Sequence, residues 1–159
     1  STKTDWETAL LTVDDRQRQS VDARLEHLSY SRKIDALYTA VDYFCDSLAT
    51  ANVLAKNKTP VYFYHFRKVR AQAESLGAYH GAEIPYVFDT HDVWLPTSNA
   101  DNTLTKEVMS RWTHFAKTGR PDDTGSWPRW SDNNSAALLQ DPISYGALDN
   151  PLCSLITPD

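Results

Sequence analysis

The sequence predicts an α/β protein, because it combines segments with a helical period, one strand with apolar residues on both faces, and prolines and glycines between them. In the helical segments, apolar residues recur every three or four positions, as on the buried face of a helix. The segment from Val61 to Phe66 instead reads VYFYHF, which is β-branched or aromatic at every position except His65. This composition is typical of a strand covered on both faces in a parallel or mixed sheet.

Two helices are predicted before this strand. A surface helix is expected from Asp14 to about Leu28, in a polar segment with a narrow apolar stripe. A second helix is expected over residues 34–56, with Cys45 beside its apolar face. The residues of that face are Ile34, Leu37, Val41, Phe44 and Leu48. Pro60 ends the helical pattern, because the residue before a proline favours extended backbone.

After the strand, the residues up to Leu76 are polar and favour a helix. The following segment reads GAYHGAEIPYVFDT, and in it Gly77 and Gly81 flank Tyr79 and His80. Glycines allow the backbone to approach a cleft closely, and functional residues often lie on loops that a scaffold positions. We therefore expect a rigidly held loop at a strand end.

A last helix is expected from Leu104, with Asn102 or Thr103 as its cap, and Gly119 should end it. The proline-rich residues beyond it are predicted to be irregular and to wrap a surface. The inventory is thus three or four helices and one strand. A strand covered on both faces needs partners on both edges, so the rest of the sheet is expected in another polypeptide or in residues absent from this chain.

Composition excludes several classes of protein. The chain has 159 residues, a mass of 18.0 kDa, a formal charge of −5 and a pI near 5.5. Nucleic acid is an unexpected partner, because the basic residues are scattered within an acidic chain. No apolar stretch approaches the roughly 20 residues that cross a bilayer. The start at Ser1 lacks a Met and a leader-like pattern, which we interpret as a processed or internal start.

Common local motifs are missing from the sequence. None of the five glycines forms G-x-S-x-G, G-x-G-x-x-G or a P-loop. The two cysteines, Cys45 and Cys153, are too far apart for C-x-x-C and are either two buried thiols or one long-range disulfide. The histidines are His27, His65, His80, His91 and His114, and no spacing among them favours a metal site. His80 stands out because it lies between two glycines.

Four segments, in order, resemble one family. TPVYFYHF, GAYHGAEIPYVF, LTKEVMSRWTHFAKTGRP and WPRW are similar to the C-terminal part of the type B carboxylesterase and cholinesterase family of α/β-hydrolases. The similarity runs from about Ala36 to Trp130. It implies that the chain is the C-terminal part of an α/β-hydrolase fold, mostly helical with a late sheet strand from about Val61 to Phe66. Residues 1–159 would then be a fragment of a single catalytic domain.

The resemblance implies a carboxylic-ester hydrolase of the serine esterase type. The matching residue for the histidine of the H-G-x-E segment is His80, which would serve as catalytic base, and Glu83 would be structural. In such enzymes the order is serine, acid, histidine. The serine, the acid and the oxyanion loop would therefore lie upstream or in a larger partner chain, in a processed or nicked enzyme. No cofactor is implied, and the substrate would be a small-molecule ester.

The resemblance also implies a disulfide between Cys45 and Cys153, and hence secretion. The sequence contains N-glycosylation sequons at Asn57 and Asn133, although Pro60 weakens the first. Two alternatives stay open. Cholinesterase-like folds also occur as adhesion or carrier modules without catalysis, and a small helical domain that folds alone is a third reading, which the strand disfavours.

Overall fold

The computed structural model describes residues 1–131 and 133–156, and the chain divides into two units. The first contains Ser1–Asn57 and the described part of Asp149–Asp159; the second is Lys58–Leu148. In chain order the elements are α1 (Lys3–Ala9), α2 (Asp15–Leu25), α3 (Tyr30–Thr39), α4 (Cys45–Lys56), β1 (Tyr64–Phe66), α5 (Ile84–Phe88), α6 (Asn99–Thr118), β2 (Ser135–Leu139), β3 (Ser144–Ala147) and α7 (Cys153–Ile156).

The first unit is a helical cluster. The predicted surface helix is α2, and Asp14 caps it by accepting a hydrogen bond from the Arg16 amide at 3.0 Å. A buried lysine, Lys33, joins three helices, because Asp22 accepts hydrogen bonds from its ammonium at 2.7 Å and from the Trp6 indole at 2.8 Å. The Lys33 ammonium also lies 5.2 Å from the centre of the Trp6 ring. Its charge is therefore paired within the unit.

The long second helix is confirmed, with one local difference. The structure joins α3 to α4 by a π turn, Ala40–Phe44. This turn holds one residue more than an α turn, which rotates the following helix face. Cys45 therefore lies in the core, 3% exposed, while Phe44 is only half-buried.

The second unit contains a three-stranded mixed sheet in the order β1-β2-β3. β1 pairs in parallel with β2, placing Tyr64 opposite Ala137, and β2 pairs antiparallel with β3. The prediction that the proline-rich residues after the last helix are irregular is wrong for β3, and β2 is a strand beyond the one that was predicted. Their sequences, SAALL and SYGA, contain no β-branched residue. Strand pairing and burial, which are tertiary effects, decide their conformation.

The predicted strand is shorter than expected. Only Tyr64–Phe66 is a strand, although the carbonyls of Val61 and Phe63 accept hydrogen bonds from the amides of Trp130 and Ala137. The prediction of cover on both faces is not met within the described residues, because Tyr64 is 38% exposed. Over that part of the chain β1 is an edge strand.

Three further differences concern residues 67–118. The polar stretch before Leu76 is irregular except for a 3-10 turn, Glu74–Leu76, and the expected loop contains a short helix, α5. α6 begins earlier than predicted, because Ser98 and Asp101 form a capping box ahead of Asn102 and Thr103. Its predicted end at Gly119 is confirmed, with the glycine at φ 72°. The mostly helical α/β class is confirmed.

Candidate active site

His80 lies on an exposed turn between two glycines in left-handed conformations. Gly77 has φ 63° and Gly81 has φ 85°. Residues with a Cβ rarely adopt such φ values, so glycine suits both positions. The turn is closed by a hydrogen bond from the Ala82 amide to the Tyr79 carbonyl at 3.0 Å. The loop thus presents His80 at the surface of the second unit.

α5 follows this turn directly. Glu83 caps it, and the Glu83 carbonyl accepts hydrogen bonds from the amides of Tyr86 at 2.9 Å and Val87 at 3.1 Å. Pro85 stands in the first turn, where the missing proline N–H costs no helical hydrogen bond. The Tyr86 side chain is 1% exposed and is the largest fully buried side chain of the chain's described part.

A buried carboxylate, Asp101, holds the Tyr86 hydroxyl. The hydroxyl donates to Asp101 Oδ1 at 2.7 Å, and Lys68 Nζ lies 3.4 Å from the same oxygen. Asp101 Oδ2 accepts from the Ser98 amide at 2.8 Å and the Ser98 hydroxyl at 2.6 Å. Both carboxylate oxygens are therefore satisfied although Asp101 is fully buried.

These contacts set the ionisation of the pair. Burial alone would raise the pKa of Asp101, but the hydrogen bonds from Ser98 and Tyr86 and the charge of Lys68 outweigh it and lower the pKa to about 2. The pKa of Tyr86 is raised, chiefly by burial and secondly by the hydrogen bond to Asp101. At neutral pH the pair is consequently a neutral phenol that donates to a carboxylate.

A second chain of hydrogen bonds passes through His91. The Arg70 guanidinium can only donate, so His91 Nδ1 accepts from it. Neutral His91 then carries its proton on Nε2, which lies 2.7 Å from Thr105 Oγ1, and that hydroxyl donates to the Asp101 carbonyl at 2.8 Å. Burial and the charge of Arg70 lower the pKa of His91, which favours the neutral ring.

Several apolar side chains close to the loop in sequence are exposed, and little space lies beneath the loop. They include Ile84 (52%), Phe88 (67%), Val93 (107%) and Trp94 (65%). A cavity beside the loop, lined in part by Arg70, Tyr79 and Tyr86, measures about 10 Å³. This volume is about that of one water probe, so it holds no substrate.

Two larger cavities are lined by other residues. One of about 170 Å³ is bordered by Tyr62, Trp112, Phe115 and other residues of the second unit. Another, of about 340 Å³, lies in the first unit beside Val13 and Cys45. Neither has His80 in its lining.

Three other histidines have separate local environments. His27 is exposed in the first unit, His65 Nδ1 accepts from Arg67 at 3.3 Å, and His114 Nε2 lies 3.2 Å from Asp123. Among residues 1–131 and 133–156, no group of three His, Cys, Asp or Glu side chains could hold a metal ion.

Two other sets of predicted residues are located. The structure joins Cys45 to Cys153, the pairing that the resemblance implies, and thereby links α4 to α7. Asn57 and Asn133 are both exposed. The Asn57 side-chain amide donates to the Val53 carbonyl at 2.9 Å, so this group is engaged in the helix end.

Sequence reasoning missed Asp101, Lys68 and Arg70. Isolated charged residues look like surface positions, and these three are nonetheless buried or nearly so. One signal was available: Ser98 and Asp101 have the spacing of a capping box just before an apolar period. It fixes Asp101 at a helix start, although it does not reveal the contact with Tyr86.

Comparison with known proteins gives the family. A sequence model of the Carboxylesterase family matches residues 7–144. The chain belongs to the carboxylesterase family, and its helices and small mixed sheet are part of an α/β-hydrolase fold.

Individual relatives match over a shorter region. The chain is 38% identical over 96 residues to neuroligin-2 of Homo sapiens and of Rattus norvegicus, a match that covers 55% of this chain and 12% of each relative. It is 39% identical over 98 residues to neuroligin-3 of Mus musculus, again 55% of this chain and 12% of the relative. The chain thus corresponds to about an eighth of the length of these relatives. Within the described residues, no helix has the length and apolar character that a membrane crossing requires.

Proposed function

We propose that residues 1–159 are the C-terminal part of a single serine carboxylesterase domain in which His80 is the general base. The serine nucleophile, the acid and the oxyanion hole belong to a larger N-terminal chain or segment of the same enzyme. The substrate is a small-molecule carboxylic ester. No cofactor takes part in this chemistry.

The presentation of His80 carries the proposal. Its position matches the histidine of the family's H-G-x-E segment, and the turn that bears it is exposed between glycines at φ 63° and φ 85°. A catalytic base must reach the hydroxyl that it deprotonates, so an imidazole buried in the core could not serve. The exposed turn satisfies this requirement.

The reaction has two steps. The His80 imidazole takes the serine proton as the serine oxygen attacks the ester carbonyl, and the resulting imidazolium returns the proton to the leaving alcohol. Water then attacks the acyl-enzyme while His80 takes its proton, and the imidazolium returns that proton to the serine oxygen as the bond to the acyl carbon breaks and the acid leaves. The acidic residue of the upstream segment fixes the tautomer of His80 by accepting from its other ring nitrogen.

The apolar surroundings of the loop support a partner at this surface. Ile84, Phe88 and Trp94 are each more than half exposed. They lie within eleven positions of one another in the sequence, and exposed apolar side chains that form a patch are a common mark of an interaction site. In the proposed enzyme, the larger chain covers these side chains and supplies walls of the substrate pocket.

The cysteine pair supports an extracellular or secreted enzyme. A disulfide such as Cys45–Cys153 persists in oxidising compartments. The exposed sequons at Asn57 and Asn133 would then be available for glycosylation. Deglycosylation by an amidase, followed by mass spectrometry, would convert an occupied Asn to Asp and identify it.

The test uses the full-length protein and hydrolysis of a short-chain nitrophenyl ester. We expect His80→Ala to lower kcat by about 10³-fold or more, because a triad without its base loses most of its rate. His27→Ala is the matched control, since His27 is also exposed but lies in the other unit. Equal activity of the two variants would refute the role of His80.

Labelling locates the nucleophile. An organophosphate should modify a serine outside residues 1–159, and an 18.0 kDa chain should co-purify with, or be continuous with, the labelled segment. Labelling of a serine within residues 1–159 would contradict the proposed division of the triad.

A non-catalytic binding or adhesion module is the alternative. The relatives that match are named neuroligins, and that name states no hydrolytic activity. A folded full-length protein that neither hydrolyses the ester nor reacts with the organophosphate would favour this alternative.

A further inference from the structure

We propose that Tyr86, held by Asp101, is a positioning residue for the catalytic loop, and that its hydroxyl fixes the place from which His80 acts. The inference rests on the proposed function. Tyr86 does not touch the reacting atoms, and it acts through the backbone of the segment that connects it to His80.

The loop needs an external anchor. α5 has five residues, which is too short for a helix to be stable by itself. Most of the side chains around it are exposed, and only Pro85 and Tyr86 of the helix are buried. The burial of these two residues therefore attaches α5, and the turn before it, to the rest of the unit.

Tyr86 is held on several sides. Its ring lies 5.3 Å from that of Phe66 on β1 and 5.0 Å from that of His91, while the Arg70 guanidinium lies 5.3 Å from its centre. These contacts place the ring. The hydroxyl adds a directional bond of 2.7 Å to Asp101 in the first turn of α6.

Asp101 is a fixed acceptor. Its other oxygen is tied to Ser98 by the capping box, so the carboxylate cannot turn to follow the phenol. A hydrogen bond to this fixed carboxylate determines where Tyr86 lies along α6 as well as how deeply Tyr86 is buried. The hydroxyl therefore restricts sliding of α5 along α6.

The anchor is close to His80 along the backbone. The Tyr86 amide donates to the Glu83 carbonyl at 2.9 Å, and the Ile84 amide donates to the Gly81 carbonyl at 3.1 Å. The preceding turn is closed by the bond between Ala82 and Tyr79. Successive hydrogen-bonded turns thus connect Tyr86 to the turn that carries His80, so a shift of α5 moves that turn.

The experiment compares two tyrosine-to-phenylalanine variants of the full-length protein. Tyr86→Phe removes the hydroxyl that donates to Asp101. Tyr145→Phe is the matched control: this buried hydroxyl, on β3 of the same unit, has no hydrogen-bond partner in the part of the chain that the structure describes. Both variants remove one buried oxygen and retain the ring.

Two readouts test the proposal. With active sites counted by complete organophosphate labelling, we expect Tyr86→Phe to lower kcat by about 10- to 100-fold with KM within about 2-fold, since small displacements of a catalytic group have effects of this size. Hydrogen exchange of the amides of residues 79–86 should accelerate in the same variant. Tyr145→Phe should change neither quantity. Equal kcat and equal exchange in the two variants would overturn the proposal.

A second variant keeps the proposal testable if the Tyr86→Phe protein does not fold. Asp101→Asn retains the size of the side chain but removes the charged acceptor, and it should reproduce the lower kcat and the faster exchange of residues 79–86. Normal values of both in a folded Asp101→Asn protein would count against the proposal.

Failure of the proposed function remains distinguishable. If the wild-type protein hydrolyses no ester, the esterase proposal fails. Amide hydrogen exchange alone then tests whether Tyr86 positions the loop that carries His80. Faster exchange of residues 79–86 in Tyr86→Phe than in Tyr145→Phe still supports anchoring of the His80 loop, and equal exchange refutes it.

Discussion

Asp101 gives a prediction about acid stability at the scale of one residue. Its pKa in the folded protein is about 2, against an ordinary value of 3.8. A lowered carboxyl pKa contributes stability above the ordinary value, and the contribution is lost as pH falls toward the folded value. We expect Asp101 to contribute about 2 kcal/mol at neutral pH and to lose about 1 kcal/mol of it by pH 3.

The measurement is urea unfolding of the wild-type protein and of Asp101→Asn at pH 6, 4 and 3. Asparagine does not titrate, so the difference in the free energy of unfolding should narrow between pH 4 and pH 3. A difference that stays constant over this range would show that the Asp101 carboxylate gains no stability from its ionisation.

The functional role of a residue could be predicted where its sequence neighbours form a motif. It could not be predicted where the role depends on residues that are close only in the folded structure. His80 was found because glycines flank it and because the family motif includes it. Lys68 and Arg70 carry no such local mark. Arg70 contacts Tyr86 and His91, and Lys68 pairs with Asp101, so their partners are all more than ten positions away in the chain.

At the scale of the element, Gly119 is predicted to stabilise the end of α6 through its backbone. It has φ 72°, and a Cβ built there would meet nothing within 4 Å. Gly119→Ala should therefore lower the free energy of unfolding by about 1 kcal/mol through backbone strain alone. Thermal or urea unfolding would measure it.

Gly146→Ala on β3 is the matched control. Gly146 has no positive φ, and its added Cβ would lie 3.9 Å from Leu138 Cδ1, an ordinary contact. Its effect should stay within about 0.5 kcal/mol. If both substitutions were equally harmful, the left-handed conformation of Gly119 would not be the cause.

The elements that were not predicted share a physical reason, which is that tertiary contacts decide their conformation. The π turn at Ala40–Phe44 changes which side chains face the core. The spacing of apolar residues in the sequence still looks like that of an ordinary α-helix, so the turn could not be recognised from it. β2 consists of small and γ-branched residues whose strand conformation comes from pairing with β1 and β3. Long helices and their glycine ends depend on local chemistry, and these were predictable.

At the scale of the whole molecule, the disulfide is expected to be a major source of stability. It joins cysteines 108 positions apart, so it restricts a long loop of the unfolded chain that includes all of Lys58–Leu148. The chain-entropy model gives about 4 to 5 kcal/mol for a loop of this length. The double variant Cys45→Ala/Cys153→Ala should lose most of this amount.

Reduction provides the internal control. Dithiothreitol should shift the urea midpoint of the wild-type protein to that of the double variant and leave the variant unchanged. A reductant effect on the variant, or equal midpoints of oxidised wild type and variant, would contradict the assignment of this stability to the disulfide.

The position of β1 at the edge of the sheet bears on how the chain can be handled alone. Within the described residues, β1 pairs with a strand on one side only, and its Tyr64 side chain is exposed. An edge strand of this kind is a template for pairing with another chain. A preparation of residues 1–159 alone would therefore tend to self-associate through intermolecular β-pairing. If the proposed larger chain supplies a neighbouring strand, co-expression with that chain should suppress the association.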